Sequence, residues 1–501
     1  MKNFRIGLFA ALVVAYVATR LWHLTDSCLW FDEIYSVHAS DHAWTELFGF
    51  VALDLIHPPL FYCLLKIWIA VGGEGVLWLR LLPVCLSVAA IPPFHLLAGE
   101  LKLEKYGWSE LLGLLFLTFN GSWLKYSQEV RMYSLLMLLS ITSMWLLLRY
   151  LGRGRGFWWL VVVNVLLVWT HYFGWLVVAS ELIAATMFAR EKWRRILLMV
   201  AAVGLAFVPW ATAIIRVTNL QAVVQNVGWI KRPGVGDLGL LLLNLIEPFY
   251  YPVSSVDPAS AYRVSIPLGL IVVVSAVAVV TRRIARTDDR APSLKLLSIF
   301  ITVPVVAAFA ASWVAPISIW GTRHLIIVFA PAAMLVGYVI LRVDLRSWRN
   351  AAVTVILLFV GYAAIGWATR PIPRYSWCAW GDAAREARNR GANTVYVLED
   401  IAAYQAWFAV RSATTPRVAK LTGVEGVVED KAYFLPRGFD GIDRIDLASV
   451  GGPDVWLAFR SPVPDEREPP LRSLVVKGYR IVEQIKVPAD GEDVYLIRFV
   501  K

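Results

Sequence analysis

Eleven apolar stretches long enough to cross a bilayer leave this chain few folds to choose from. They fall at about 4–22, 76–98, 109–126, 132–149, 157–173, 174–189, 195–215, 262–281, 294–314, 324–341 and 350–369. A helix of about 20 apolar residues matches the hydrocarbon thickness of a membrane. The chain is 58% hydrophobic and only 17% charged, with a mean hydropathy of +0.61. Soluble domains are nearer half apolar and about a quarter charged. A water-soluble enzyme, a disordered chain and a fibrous chain are therefore excluded. The 23 Trp and 23 Phe suit walls that meet lipid and its interface. The sequence predicts a polytopic α-helical membrane protein with about eleven transmembrane helices.

The net charge of +11 invites a nucleic-acid reading until it is located. Residues 371–501 hold 18 basic and 18 acidic groups, and residues 1–370 hold the other 30 and 19. The whole excess thus lies in the membrane part, in short connections rather than on a soluble basic face, and no nucleic-acid partner is expected. Lys2/Arg5, Lys102/Lys105, Arg149/Arg153/Arg155, Arg190/Lys192/Arg194/Arg195, Arg282/Arg283/Arg286/Arg290 and Arg342/Arg346/Arg349 occupy alternate connections. By the positive-inside rule these are cytoplasmic. The N-terminus is then cytoplasmic, and an odd number of spans puts the C-terminus on the periplasmic or extracellular side. The first apolar run resembles a signal peptide at its basic start, but it is long and lacks a small-residue cleavage site, so it is expected to stay as a helix.

The run 59–71 (LFYCLLKIWIAVG begins at 60) is short and carries Lys66, which fits a helix lying along the interface. Residues 23–75 become one long outer loop and 216–261 a second, with shorter outer turns at 127–131 and 315–323. The expected organisation is a transmembrane domain over 1–370 and an extracytoplasmic α/β domain over 371–501. In the latter, TVYVLE, VWLAFR and VYLIRF are strand-like, while DAAREARNRG and 471–479 suggest helices. No internal repeat is visible. Four cysteines without a CxxC spacing argue against a zinc or iron–sulfur framework; Cys28 and Cys63 are candidates to pair in an oxidising compartment.

Polar groups on the outer side carry the functional information. In WFDEIYSV, Asp32 and Glu33 are adjacent carboxylates among Trp30, Phe31 and Tyr35. A partly desolvated carboxylate there suits a general base, although Asp32 also suits a helix N-cap. In IHPPLFY, His57 stands at the mouth of the interfacial helix, suited to donate to a phosphate, bind a metal or hold the loop. SQEVRMYS places Glu129 and Arg131 between two spans, as an ion pair or as part of a site. GTRHLII places Arg323 and His324 at the outer start of a late span, where a guanidinium can grip a phosphate or anchor the helix.

These motifs, in this order, resemble GT-C class membrane glycosyltransferases. The resemblance is to family 39, the protein O-mannosyltransferases and bacterial aminoarabinose transferases. Asp32-Glu33 resembles the family's first acidic motif, His57-Pro58-Pro59 a motif of bacterial members, SQEVRMYS its second acidic motif, and Arg323 its late basic residue. The aminoarabinose transferases have Glu-Lys-Pro where this chain has His57-Pro58-Pro59. The C-terminal segment lacks the β-trefoil pattern of eukaryotic members, which fits the bacterial type.

The resemblance implies a lipid-phosphosugar-dependent glycosyltransferase of the inner membrane. It would move a sugar, with inversion, from a polyprenyl-phosphate-linked donor to a lipid, glycan or protein acceptor on the outer face, with membrane lipids around it. Asp32 and Glu33 would be catalytic; His57, Glu129, Arg131, Arg323 and His324 would bind substrate. No cofactor is fixed, and a divalent metal stays open. The alternative is a transporter or flippase of a lipid-linked sugar, for which a mid-membrane ionisable residue such as Glu181 would be the marker.

Overall fold

A computed structural model describes residues 2–102, 108–218, 228, 230–248, 262–284, 291–342, 346–369, 375–426 and 435–501. The chain forms two compact units: a helical one (Met1–Leu24, Leu47–Tyr251, Pro258–Arg370) and a sheet unit (Thr25–Glu46, Pro252–Asp257, Pro371–Lys501). Part of the first expected outer loop, Thr25–Glu46, therefore belongs with the C-terminal segment. Much of the 216–261 loop lies outside the described residues.

Each of the eleven apolar stretches is helical. Among the described residues six helices are long and apolar enough to cross a membrane: Asn3–Leu21, Val76–Glu100, Tyr133–Arg153, Arg190–Val217, Ser293–Val314 and His324–Arg342. Shorter apolar helices, among them Leu60–Gly72, Phe157–Thr170 and Gly174–Phe188, accompany them. Two stretches are broken for identifiable reasons. Pro92 and Pro93 fall at the start of Ile91–Glu100, where their missing N–H groups are spare anyway. Asn120 ends Ser109–Phe119 and caps Gly121–Gln128, its Oδ1 accepting the Trp123 N–H at 2.7 Å.

The helices differ in how lipid would meet them. His324–Arg342 is central, with 83% of its apolar window buried, whereas only 17% of that of Arg190–Val217 is. Leu205, Ile215 and Val314 are open to the surroundings, as lipid-facing side chains should be. The central helix is reached closely by Ser109–Phe119: a Cβ on Gly337 would strike the Ser109 carbonyl, the small-residue approach typical of membrane helices. Some charged groups inside the bundle are held by backbone carbonyls. Arg20, wholly buried, donates to the carbonyls of Leu117 at 2.7 Å and Thr118 at 2.9 Å, neutralising the carbonyl end of Ser109–Phe119.

The sheet unit holds six strands: β1 (Thr394–Val397), β2 (Arg417–Thr422), β3 (Asp443–Asp446), β4 (Asp454–Arg460), β5 (Arg480–Val487) and β6 (Val494–Val500). Their order is β3-β2-β1-β4-β6-β5. The first four are parallel, and β4–β6 and β6–β5 are antiparallel. The central β1 and β4 are almost continuously buried, as strands covered on both faces are. Leu457, Ile497, Phe499 and Leu474 lie in the core. Helix Ser376–Asn389 precedes β1, Asp400–Val410 joins β1 to β2, and Leu471–Val476 joins β4 to β5.

Helix Phe31–Asp41 is tied to this unit. Cys28 forms a disulfide with Cys378 and not with Cys63, the pairing that the sequence left open; Cys63 and Cys85 are free. His38 Nδ1 and the Tyr404 hydroxyl lie 2.9 Å apart. Burial, helped by His42 and Arg411, pulls the His38 pKa down to about 3, so this imidazole is a neutral packing and hydrogen-bonding group.

Candidate active site

The helical unit gathers three imidazoles and a guanidinium from four separate connections. His57 stands before Pro58-Pro59, which lead into Leu60–Gly72. Arg131 sits in the short link between Gly121–Gln128 and Tyr133–Arg153. There its N–H reaches the Glu129 carbonyl at 2.6 Å, a three-residue turn. His171 ends Phe157–Thr170 in an extended conformation. The chain turns back at once through Gly174, where a Cβ would sit 2.8 Å from the Leu167 carbonyl oxygen. His324 opens the central apolar helix, beside Arg323.

Ring centroids are 5.0 Å apart for His57–His171, 5.4 Å for His171–His324 and 6.4 Å for His57–His324. Arg131 donates to His57 Nδ1 at 3.2 Å and contacts the Tyr62 hydroxyl at 3.5 Å. His57, His171, Arg131 and Glu129 are 2, 3, 4 and 7% exposed, so water screens this charge little. Burial first, then Arg131, the other two imidazoles and Arg323, holds His57 well below its usual pKa. It is a neutral ring at pH 7.

Three imidazole nitrogens within 4.8 Å of one another have the number and spacing of a metal site. Their outer partners do not suit one. A ligating imidazole normally donates its other N–H to an acceptor. His57 Nδ1 instead meets the Arg131 guanidinium, and His171 Nδ1 accepts the Phe173 N–H at 3.0 Å. Only His324, with Nδ1 3.4 Å from the Ile319 carbonyl, has an acceptor there. The residues present do not fit a resident divalent ion.

Of the sequence-derived candidates, His57, Arg131 and His324 come together here, with Glu129 in the Arg131 turn and Arg323 close enough for its charge to act on both His57 and His171. Asp32 and Glu33 belong to the sheet unit. Glu33 is fully buried and accepts the Trp30 N–H at 3.1 Å, so it closes the start of Phe31–Asp41 and Asp32 does not. Asp32 is half-buried, with its carbonyl taking the Ser36 hydroxyl at 3.0 Å. His171 is the member that sequence reasoning missed. It lies at an outer turn on the same positive-inside argument, but two apolar stretches abut there and hide it.

This fold is of the GT-C type. Two structures of ArnT from Cupriavidus metallidurans share it. The one bound to undecaprenyl phosphate is 12% identical, with 99% of this chain and 98% of that chain covered and a TM-score of 0.59. The apo one is 13% identical over the same shares, with a TM-score of 0.57. The arabinofuranosyltransferase AftD from Mycobacteria is 11% identical, with 98% of this chain but 40% of that chain covered and a TM-score of 0.50. No family model matches the chain, and no curated protein matches it. The likeness bears out the GT-C fold and does not single out family 39.

Proposed function

We propose that this protein is a glycosyltransferase that moves a sugar from a polyprenyl-phosphate-linked donor to a lipid, glycan or protein acceptor, with inversion, on the periplasmic face of the inner membrane. The observation that carries the proposal is the buried Arg131–His57 pair at 3.2 Å in a unit built mainly of apolar helices. A fixed cation with imidazoles around it, inside a lipid-facing scaffold, suits a ligand with a charged head and an apolar tail. Support comes from the ArnT structure, whose bound molecule is undecaprenyl phosphate.

In an inverting transfer the acceptor oxygen attacks the anomeric carbon as the bond to the polyprenyl phosphate breaks. The departing phosphate gains charge, which Arg131, Arg323 and the His57 ring are suited to stabilise. Glu129 would orient Arg131, and His324 would line the same cluster. Asp32 is the proposed base for an acceptor hydroxyl, with Glu33 bracing its helix. The Cys28–Cys378 disulfide favours an oxidising compartment for the sheet unit, in keeping with a cytoplasmic N-terminus and a periplasmic C-terminus.

The flippase reading has nothing specific in its favour. Glu181 is fully buried and held by Ser143 and by Asn164, whose amide donates at 2.6 Å, as a packed structural group. Mass spectrometry of glycolipids and glycoproteins from cells with and without the gene tests the proposal. One sugar should disappear from one class of acceptor; identical profiles would contradict it.

A further inference from the structure

We infer that His57 and His171 form a pair of neutral N–H donors for a phosphate oxyanion, and that the three-imidazole cluster is an anion receptor rather than a metal centre. The inference rests on the lipid-phosphate reading above and gives His171 a role.

A guanidinium has five donors and no acceptor, so at 3.2 Å from Arg131 the Nδ1 of His57 must carry the lone pair. A backbone N–H likewise only donates, so the Nδ1 of His171 accepts from Phe173 at 3.0 Å. In a neutral imidazole the proton then sits on Nε2, on both rings. Both Nε2 atoms are buried and meet no hydrogen-bonding partner among the described residues. Buried polar atoms are partnered in the great majority of cases, and one that is not requires an explanation. Two such donors, on rings 5.0 Å apart, call for an acceptor with more than one oxygen.

Electrostatics selects the sign of that acceptor. Arg131 and Arg323 both act on the two imidazoles, so the cluster is positive without either ring being protonated. A cation at Nε2 would have to displace two protons and then sit beside two guanidinium groups. A phosphate takes the N–H donors as they stand and answers the positive charge. Phosphate as a lipid headgroup and as a free anion share this chemistry.

The test uses the full chain purified in detergent, with binding of undecaprenyl phosphate in micelles and of inorganic phosphate measured separately. His171→Phe keeps a ring and removes the donor; His171→Gln keeps an amide N–H. The expected result is a loss of about 10- to 100-fold for His171→Phe, the effect of one hydrogen bond to a charged group, and at most about threefold for His171→Gln. Binding of the lipid over inorganic phosphate assigns the site to the headgroup, and the reverse assigns it to the free anion. Equal binding by wild type and His171→Phe overturns the inference. Cobalt(II) gives a check that needs no variant: no tetrahedral absorption band should appear, and a band saturating at one equivalent overturns it. If the wild-type chain transfers sugar while His171→Phe binds the lipid unchanged, this inference alone fails. If the wild type neither binds a polyprenyl phosphate nor transfers sugar, the glycosyltransferase reading fails with it.

Discussion

The two units handle charge in opposite ways. In the sheet unit acids and bases meet at the surface: Arg460 with Glu399 at 2.8 Å, Arg498 with Asp454 at 3.0 Å, Arg390 with Glu386 at 2.9 Å. Its buried pair, Lys420 with Asp400 at 2.8 Å, is also a pair of opposite charges. In the helical unit the wholly buried Arg20 and Glu181 rely instead on dipoles. Arg20 uses two carbonyls, and Glu181 uses a hydroxyl and an amide. The difference follows from the surroundings, because a lipid-embedded unit has no water to complete a half-made hydrogen bond. An unsatisfied polar atom at a wet surface carries no information, whereas two unpartnered donors on neighbouring buried rings, as on His57 and His171, point to a ligand. That is why His57 and His171 matter more than the many charged groups of the sheet.

The largest effect should come from Asp32, the proposed base that the sheet unit carries. Asp32→Asn should slow transfer to a hydroxyl acceptor by about 10²–10⁴-fold and leave donor binding largely intact, and Glu33→Gln should cost less. Steady-state kinetics decide this, and near-normal turnover by Asp32→Asn removes the assignment. Gly337→Leu tests the helical packing. A side chain driven into the Ser109 backbone should destabilise the bundle by about 1–3 kcal/mol or more, seen as a lower melting temperature in detergent. An unchanged melt would mean the helices are not in contact there.

Arg323→Ala should weaken binding of the lipid phosphate by about 1.5–3 kcal/mol, more than it slows the chemical step, and Lys should restore charge but not the two-pronged grip. Unchanged donor affinity in both variants takes Arg323 out of the site. By contrast, Arg460→Ala should alter stability by only about 0–1 kcal/mol, because Arg460 itself is exposed and its partner Glu399 only half-buried; a loss comparable to that of Arg323 in binding would break the distinction between the units. The smallest effect is none. With its pKa near 3, His38 should show no shift of its ring proton resonances between pH 8 and pH 5. A midpoint near 6.5 would mean that the ring is wet. Since its folded pKa lies below the unfolded value, protonation favours unfolding as pH falls below about 6.5.

The sequence was most legible where the surroundings are uniform. Long apolar runs announced the helices, and TVYVLE, VWLAFR and VYLIRF announced β1, β4 and β6 because those strands are buried on both faces. Arg480–Val487 alternates between exposed and half-buried positions as an edge strand, so its charges disguise it. Arg417–Thr422 hides a buried lysine whose partner lies 20 residues earlier. For the candidate site, outer-side polar residues gave His57, Arg131, Arg323 and His324. They did not give His171, because the turn that Gly174 permits is too tight to separate two apolar runs. The Cys28–Cys378 link spans 350 residues, and no local pattern encodes a contact at that distance.

The central claim is covalent transfer from a lipid-phosphate donor. It is tested most directly by incubating the purified chain in liposomes with a radiolabelled sugar on polyprenyl phosphate and a membrane extract as acceptor. Label should move to the acceptor while free polyprenyl phosphate accumulates in equal amount, and the Arg131→Ala chain should do neither. Label that stays on the polyprenyl phosphate, or that only changes leaflet, would contradict the account.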